Sequence, residues 1–559
     1  PRTMLRRSLF LAVAVLLLSC VASAKNGAPN VLFLMSDSYD GRVLDPTSKV
    51  SARVHTPFFD HLASTGVNFV RTYPASPQCV PSRTTMFTGR HTHNIKCWNN
   101  GLGVAVSPSN GEVDSNCATF WSHEQCREFG NHQNVTATLL DDLTKAGHRP
   151  HLYGKVDVGA GIITQKDESN ATANGFHGGP DTATLSRSAD IRRATKHDPL
   201  NMTNDQDAHV HPEDWRTIEK CMEFLQQTSP DSDSNWFLYC SLNIPHPPFN
   251  TNATWLAYVN ESLVDVPTWL PEDQFHPADS YMSESKSVWR NYTDEEIIKV
   301  RKTYYAMCAE TDYMLGLVYE TARVAGHLDN TYVIFVSDHG EMNMEHRQVW
   351  KNSMYEASAR VPLIIAGPGV PQGVVVRDMV SLLDIYPTLL EIVGAAIPGY
   401  LEGHSLMPYL QPSRASEVAA RPDFVISQYH SNMGNTGSYM VRRGKYKYIT
   451  FGHYLSPFSD YKPQLFDVDS DPEELNDLAA ALPDVVQVMD YYLRTVLDPE
   501  AADEEAKKQD LALFQKYINV GDKQKLRHKL ERAYKGFDDG DMAKIEQWLL
   551  GAALPLQSA

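Results

Sequence analysis

Apolar and polar positions along this chain fall in blocks rather than singly. Asn30 to Ser36 (NVLFLMS) is a nearly continuous apolar run that ends at Asp37. The pattern recurs four times. His151-Leu152-Tyr153 leads into Gly154-Lys155, and Trp236 to Leu242 (WFLYCSL) into Asn243-Ile244-Pro245-His246. Tyr332 to Val336 (YVIFV) leads into Ser337-Asp338-His339-Gly340, and Val361 to Ala366 (VPLIIA) into Gly367-Pro368-Gly369. Short unbroken runs of this kind predict strands buried on both faces of a parallel sheet. Helical patterns lie between them, among them Asp294 to Leu328. Alternating strands and helices predict an α/β sheet, and such sheets bind ligands outside the carboxyl ends of their strands. Asp37, Lys155, His246, Asp338 and His339 all fall at those ends, so the pattern alone points to one site.

Further on the pattern changes. Ser381 to Gly394 (SLLDIYPTLLEIVG) reads as a turn and a short amphipathic helix that closes the large domain, followed by a linker with Pro398, Pro408, Pro412 and Pro422. Strand-like runs at Phe424 to Gln428, Ser438 to Arg442 and Tyr446 to Thr450 precede PQLFDVDSDPEELNDL (Pro463 to Leu478). Hairpin spacing predicts a small antiparallel sheet beneath a terminal helix. The expected division is a leader over 1–24, a large domain over 25–410, a small sheet subdomain over 411–500 and a charged helical tail over 501–559. The segments Val104 to Gln133 and Gly159 to Asn201 are rich in Ser, Asn, Asp and Gly. They read as long surface loops, either substrate-selecting insertions or plain glycosylated surface.

Arg2, Arg6 and Arg7, the apolar core Leu9 to Leu18 and Ala22-Ser23-Ala24 have the form of a cleavable secretory signal. Leu17-Leu18-Ser19-Cys20 also reads as a bacterial lipoprotein box. Six N-x-[ST] sequons, at Asn134, Asn170, Asn201, Asn252, Asn260 and Asn291, favour the eukaryotic secretory pathway. No later run is apolar enough for a transmembrane helix. The formal charge is −18 with 21 histidines, so an acidic lumen would cancel much of it, which fits an acidic compartment; the expected address is the lysosome, the extracellular space or both. The same charge argues against a nucleic-acid binder. Of the eight cysteines, Cys20 leaves with the leader. With Cys79 set apart, Cys97, Cys117, Cys126, Cys221, Cys240 and Cys308 permit three disulfides. The close pairs are Cys117 with Cys126 and Cys221 with Cys240; zinc is the competing reading, and no CxxC spacing supports it.

Cys79 to Arg90 reads CVPSRTTMFTGR. Pro81 sits early, Met86 and Phe87 follow, and Gly89 stops the run, which predicts a helix with Cys79 at its N-terminal mouth. Unpaired N–H groups there favour a bound anion. A lone cysteine near a helix start is ordinarily a small buried hydrophobe, but its neighbours change the reading. The Cys79-Val80-Pro81-Ser82-Arg83 pentad with Thr88-Gly89-Arg90 resembles the sulfatase signature C-x-P-S-R…T-G-R. GKVD at Gly154, SDHGE at Ser337, DIYPT at Asp384 and LFDVDSDPEELNDL match sulfatase patterns in order. DSYDG at Asp37, NIPHP at Asn243, YYAMCAETD at Tyr304 and the long string from Ser337 are similar to the branch that removes 2-sulfate from glucuronate.

The resemblance implies an alkaline-phosphatase/sulfatase-like fold: a large mixed sheet flanked by helices, with a smaller C-terminal antiparallel sheet. It implies that a formylglycine-generating enzyme oxidises Cys79, that the aldehyde hydrate attacks the sulfur of the ester, and that its second hydroxyl then expels sulfate. Asp37, Asp338, His339 and the modified Cys79 would hold one calcium ion; carboxylates suit that hard cation and an imidazole is a less usual ligand. Arg83 would hold the nucleophile, Lys155 and Lys351 would grip the sulfate, and His246 would bind substrate and protonate the leaving oxygen. The chain departs from the family at Ser38, where most members carry a second aspartate that Asp40 or water would replace, and at Asp157, where many carry histidine. His346 is a weaker candidate. The expected substrate is the 2-O-sulfate of glucuronate in a glycosaminoglycan such as heparan, chondroitin or dermatan sulfate. The alternatives are an iduronate 2-sulfatase or broad arylsulfatase, a phospho- or phosphonate-ester hydrolase, and a silent glycan-binding protein whose Cys79 stays a thiol.

Overall fold

The computed structural model describes residues 27–100, 135, 137–158, 209–230, 232, 234–286, 288, 291–430, 436–454, 461–519, 523–533 and 536–553. The leader and Cys20, both long loops with Cys117 and Cys126, and the sequons at Asn134, Asn170 and Asn201 lie outside the described residues.

Strands β1 (Asn30–Asp37), β2 (Val67–Phe69), β3 (Thr72–Tyr73), β4 (Arg149–Gly154), β5 (Trp236–Pro245), β6 (Thr331–Ser337), β7 (Leu363–Ala366), β8 (Val374–Val376) and β9 (Val380–Ser381) belong to the large unit. Seven of them form one sheet in the order β4-β5-β1-β6-β7-β2-β8. β4, β5, β1 and β6 are parallel, while β7 runs against both β6 and β2. This corrects one reading of the apolar runs. Val361 to Ala366 does give a strand, but an antiparallel one, so Gly367-Pro368-Gly369 leaves from the opposite sheet edge to Asp37 and Asp338. An apolar run reports burial on both faces and carries no information on direction.

All eight residues of β1 are buried. Leu32 and Leu34 face the helices Pro212–Gln227 and Asp294–Val324, and Val31, Phe33 and Met35 face Cys79–Thr88, Leu139–Lys145 and Ile385–Ile392. The long helix starts on a capping box between Thr293 and Glu296 and stops four residues before the expected Leu328.

Four antiparallel strands, β10 (Phe424–Tyr429), β11 (Ser438–Arg443), β12 (Tyr446–Phe451) and β13 (Gln464–Asp467), form the small sheet in sequence order. Ile426, Tyr439, Val441 and Leu465 pack under the helix Pro483–Arg494 through Met489 and Leu493. The other face, with Val425, Met440 and Phe466, meets Tyr73, Met354 and Tyr355 of the large unit. At this seam the buried Lys447 ammonium lies 2.7 Å from both Glu356 and Glu474 and donates to the Met354 carbonyl.

Cys221 and Cys240 are joined, which ties the helix Pro212–Gln227 to β5. Cys97 and Cys308 are free and buried, so the three-disulfide reading does not hold. An even count of cysteines cannot tell a bridge from a core thiol, and burial pushes the Cys97 thiol up to about 12.

Candidate active site

The helix Cys79–Thr88 is buried along its whole length. Gln78, in extended conformation, precedes it, and Gly89 closes it in the left-handed region at φ 66°. That geometry puts Cys79 on the first turn, facing the ends of β1 and β6, with Arg83 one turn further in. Ser82 anchors the helix by donating to the Asp338 carbonyl at 2.7 Å.

Arg83 is fully buried and fans out to several partners. Its Nε donates to Asp338 Oδ2 at 2.7 Å, and its other nitrogens reach the Lys155 carbonyl (2.8 Å), Tyr239 and Ser241 (both 3.1 Å) and Asp37 Oδ2 (3.3 Å). The two carboxylates outweigh the cost of burial and raise its pKa further. Lys155 Nζ lies 2.6 Å from Asp37 Oδ2, 3.2 Å from Asp157 Oδ2 and 4.0 Å from Cys79 Sγ. Burial opposes the charge on Asp37, but Lys155, His246, His339 and Lys351 overcome it and hold the carboxyl well below the usual range.

Each of the two aspartates gives one oxygen to a cation and turns the other inward. Asp37 Oδ1 is 3.5 Å from His339 Nε2, and Asp338 Oδ1 is 3.8 Å from it. Cys79 Sγ lies 3.3 Å from the same nitrogen. His339 Nδ1 faces the Gly340 carbonyl at 2.9 Å, and a hydrogen on Nδ1 leaves the Nε2 lone pair pointing into the cluster. All four ligand atoms lie within 4.8 Å of one another. Four ligand atoms this close could hold one metal ion, and the two carboxylates among them suit a hard cation such as calcium. Ser38, at φ 67°, donates to Asp37 Oδ1 at 3.0 Å, and occupies the place of the family's second aspartate with a hydroxyl. Asp40 does not compensate: it is held by the Arg42 guanidinium at 2.8–3.1 Å.

His246 and Lys351 form the other wall, with Lys351 Nζ in contact with His246 Nε2. His246 Nδ1 lies 2.6 Å from the Pro247 carbonyl, which places its hydrogen on Nδ1 and leaves Nε2 as the acceptor from Lys351. Burial, with Lys351 beside it, lowers the His246 pKa well below its usual value. His346 is directed elsewhere: it stacks on Tyr355 at 3.7 Å between centroids and contacts the Glu473 carbonyl.

The segment carrying Lys351 has supports that the sequence did not announce. Buried Lys286 donates to Gln348 Oε1 (3.0 Å) and to the Lys351 carbonyl (2.7 Å). Glu341 accepts from the N–H groups of Asn343 (3.1 Å) and Trp350. Burial pushes Lys286 down to about 7 and Glu341 up to about 7. Glu341 sits inside SDHGE and was open to notice; Lys286, in SESKSV, carries no local signal. Tyr239 and Ser241, the seat of Arg83, were visible as polar positions of one parity within WFLYCSL. Among the sequons, Asn291 is exposed and Asn260 partly so, while Asn252 is 5% exposed and caps a helical turn.

Residues 29–395 match the family described as Sulfatase, and residues 344–497 match the N-sulphoglucosamine sulphohydrolase C-terminal family. Arylsulfatase K of Mus musculus is 33% identical over 560 residues, spanning 96% of this chain and 92% of its own. Among solved structures, the phosphonate monoester hydrolase SpPMH from Silicibacter pomeroyi superposes with a TM-score of 0.62 at 22% identity, covering 84% of this chain and 96% of that one. BT1596, described as a 2-O GAG sulfatase, gives 0.56 at 20% identity, covering 86% and 96%. Both confirm the fold. With the family profile spanning most of the described chain, this protein belongs to the sulfatase family and is a sulfuric ester hydrolase.

Proposed function

We propose that the protein is an exo-sulfatase that removes the 2-O-sulfate of glucuronate from glycosaminoglycan chains, in the lysosome or outside the cell. The observation that carries this reading is the placement of Cys79, at a helix mouth, against Asp37, Asp338 and His339. The similarity to arylsulfatase K over nearly the whole chain supports the substrate class. In this reading a formylglycine-generating enzyme converts Cys79, and the hydrated aldehyde supplies the attacking hydroxyl. Calcium held by Asp37, Asp338, His339 and residue 79 supplies positive charge for the sulfuryl oxygens.

The chain's own residues do the rest. Asp37, Asp338 and Asp157 balance Arg83, Lys155 and Lys351, so a bound dication turns a neutral pocket into one that attracts a sulfate ester. Lys155 and Lys351 grip the ester oxygens from two sides. Arg83 fixes both carboxylates and thereby the helix mouth. The Lys351–His246 couple shares a proton between Nζ and Nε2 and delivers it to the leaving sugar oxygen. Asn291 and Asn260 are the glycosylation positions that the described surface best accommodates.

The test is inorganic sulfate release from disaccharides ending in 2-sulfated glucuronate or 2-sulfated iduronate, beside an aryl sulfate and a phosphonate monoester. The proposal expects the glucuronate substrate to have the highest kcat/KM. Preference for iduronate or for the aryl ester would move the substrate assignment, and faster phosphonate cleavage would replace it. Binding of the sulfated sugars without turnover would favour the glycan-binding reading.

A further inference from the structure

A second cavity, of about 340 Å³, opens between the segment after Asp40, the Glu345–Arg347 turn and the small sheet, and none of the catalytic residues lines it. Its walls are cationic, with eight arginine and lysine side chains against six carboxylates. Two of those carboxylates are shared. Asp265 lies 2.6 Å from Arg53 and 3.2 Å from Arg301, and Asp469 lies 2.8 Å from Arg71 and 3.4 Å from Arg442. Glu345 also lies 3.8 Å from Arg301 and 2.9 Å from Arg42, which pairs with Asp40, so the first group is balanced and the surplus positive charge sits on the side of Arg71 and Arg442, which share Asp469. Behind the wall Asp40 faces Arg42, and Lys447 lies between Glu356 and Glu474, so the backing charges reduce the positive surplus on the cavity without removing it.

Two features separate this cavity from an ordinary surface ion-pair network. Arg301 and Arg442 are each 1% exposed, and the Nε–H of each has no acceptor among the described residues. A buried donor without a partner can take an acceptor that enters the cavity, and here two such donors belong to residues of one cavity wall. Asp265 and Asp469, with side chains 55% and 46% exposed, are free to turn into solvent and yield their arginines to an incoming anion. Guanidinium forks match the tetrahedral oxyanions of sulfate and phosphate through paired N–H donors. The volume is that of a small-ligand site.

We propose that this cavity is a second oxyanion site, separate from the catalytic cluster, which takes a sulfate or phosphate group, either free or carried on a sugar. It stands apart from the substrate assignment, since it shares no side chain with the catalytic pocket.

The test uses the full-length protein and isothermal titration with inorganic sulfate and with N-acetylglucosamine 6-sulfate. Three proteins are compared: wild type, the double variant Lys155→Met/Lys351→Met, and the double variant Arg71→Gln/Arg377→Gln at the cavity rim. The proposal expects two sulfate sites in the wild type. One survives in the lysine variant, and that site weakens at least tenfold in the arginine variant. Tenfold tighter binding of the sugar sulfate at the surviving site identifies a sugar-borne group as the ligand; equal binding identifies the free ion. Loss of all sulfate binding in the lysine variant would overturn the proposal, as would wild-type binding in the arginine variant. If the arginine variant fails to fold, the stoichiometry left in the lysine variant still decides.

Discussion

Asp37, Asp338 and His339 stand at or just beyond the ends of two adjacent parallel strands, whereas Lys351, on the facing wall, stands on a segment with almost no regular structure. Six of the ten residues 343–352 are non-glycine residues with positive φ: Asn343, Met344, His346, Arg347, Trp350 and Asn352. Such conformations cost roughly 1–3 kcal/mol each and persist only where the surroundings over-determine them. Here the surroundings are buried polar groups. Lys286 and Glu341 hold the segment from within, Arg301 donates to the Asn343 carbonyl at 2.8 Å, and Trp269 to the Met344 carbonyl at 2.7 Å. The wall of Asp37, Asp338 and His339 therefore inherits its geometry from the sheet, and the wall of Lys351 has its geometry imposed largely by side chains far off in sequence.

The largest effect should come from breaking the first wall. Arg83→Met leaves Asp37 and Asp338 buried with one cation fewer, which should cost about 3–5 kcal/mol of stability. It should also lower kcat/KM by about 10³-fold or more; thermal unfolding and sulfate release measure the two. For the second wall, Lys286→Met strands the Lys351 carbonyl and should lower kcat about 10–100-fold through misplacement alone. Calcium affinity, read by titration, should stay as in the wild type, because the strand ends are untouched. Loss of both would mean that the walls are not independent.

A control outside both walls tests the pH behaviour. Asp312 accepts from the backbone of Phe58 and Phe59 and is pushed up to about 7, chiefly by burial. A carboxyl raised in the folded state contributes stability that is full below its unfolded pKa and is lost as pH rises through the folded value. Between pH 5 and 7 the wild type should therefore lose roughly 2–3 kcal/mol relative to Asp312→Asn. Urea unfolding at the two pH values measures it. The smallest effect is Asn352→Gly, which relieves one left-handed residue at φ 76°. It should change stability by less than about 1 kcal/mol, with a few-fold fall in kcat from a looser Lys351.

The same contrast explains what could be read from the chain. Asp37, Lys155, His246, Asp338 and His339 each sit where an apolar run gives way to polarity, so period and burial located them before any family was named. Cys79 and Arg83 needed the motif, since a buried helix with an arginine in it has no distinguishing pattern. Lys351 was legible through resemblance alone. Lys286 was not legible at all, because its role depends on a carbonyl 65 residues away that only the folded chain brings near. The direction of β7 and the unpaired Cys97 and Cys308 escaped for a related reason: burial is written in composition, and pairing is not.

The proposed function requires an aldehyde at residue 79. Peptide mass spectrometry across Cys79, on protein from a secretory eukaryotic host, with hydrazide labelling and a Cys79→Ala control, tests that most directly. The expected result is the formylglycine mass, hydrazide capture, and sulfate release that disappears in the control. A thiol that alkylates normally, from a host that converts other sulfatases, would contradict it.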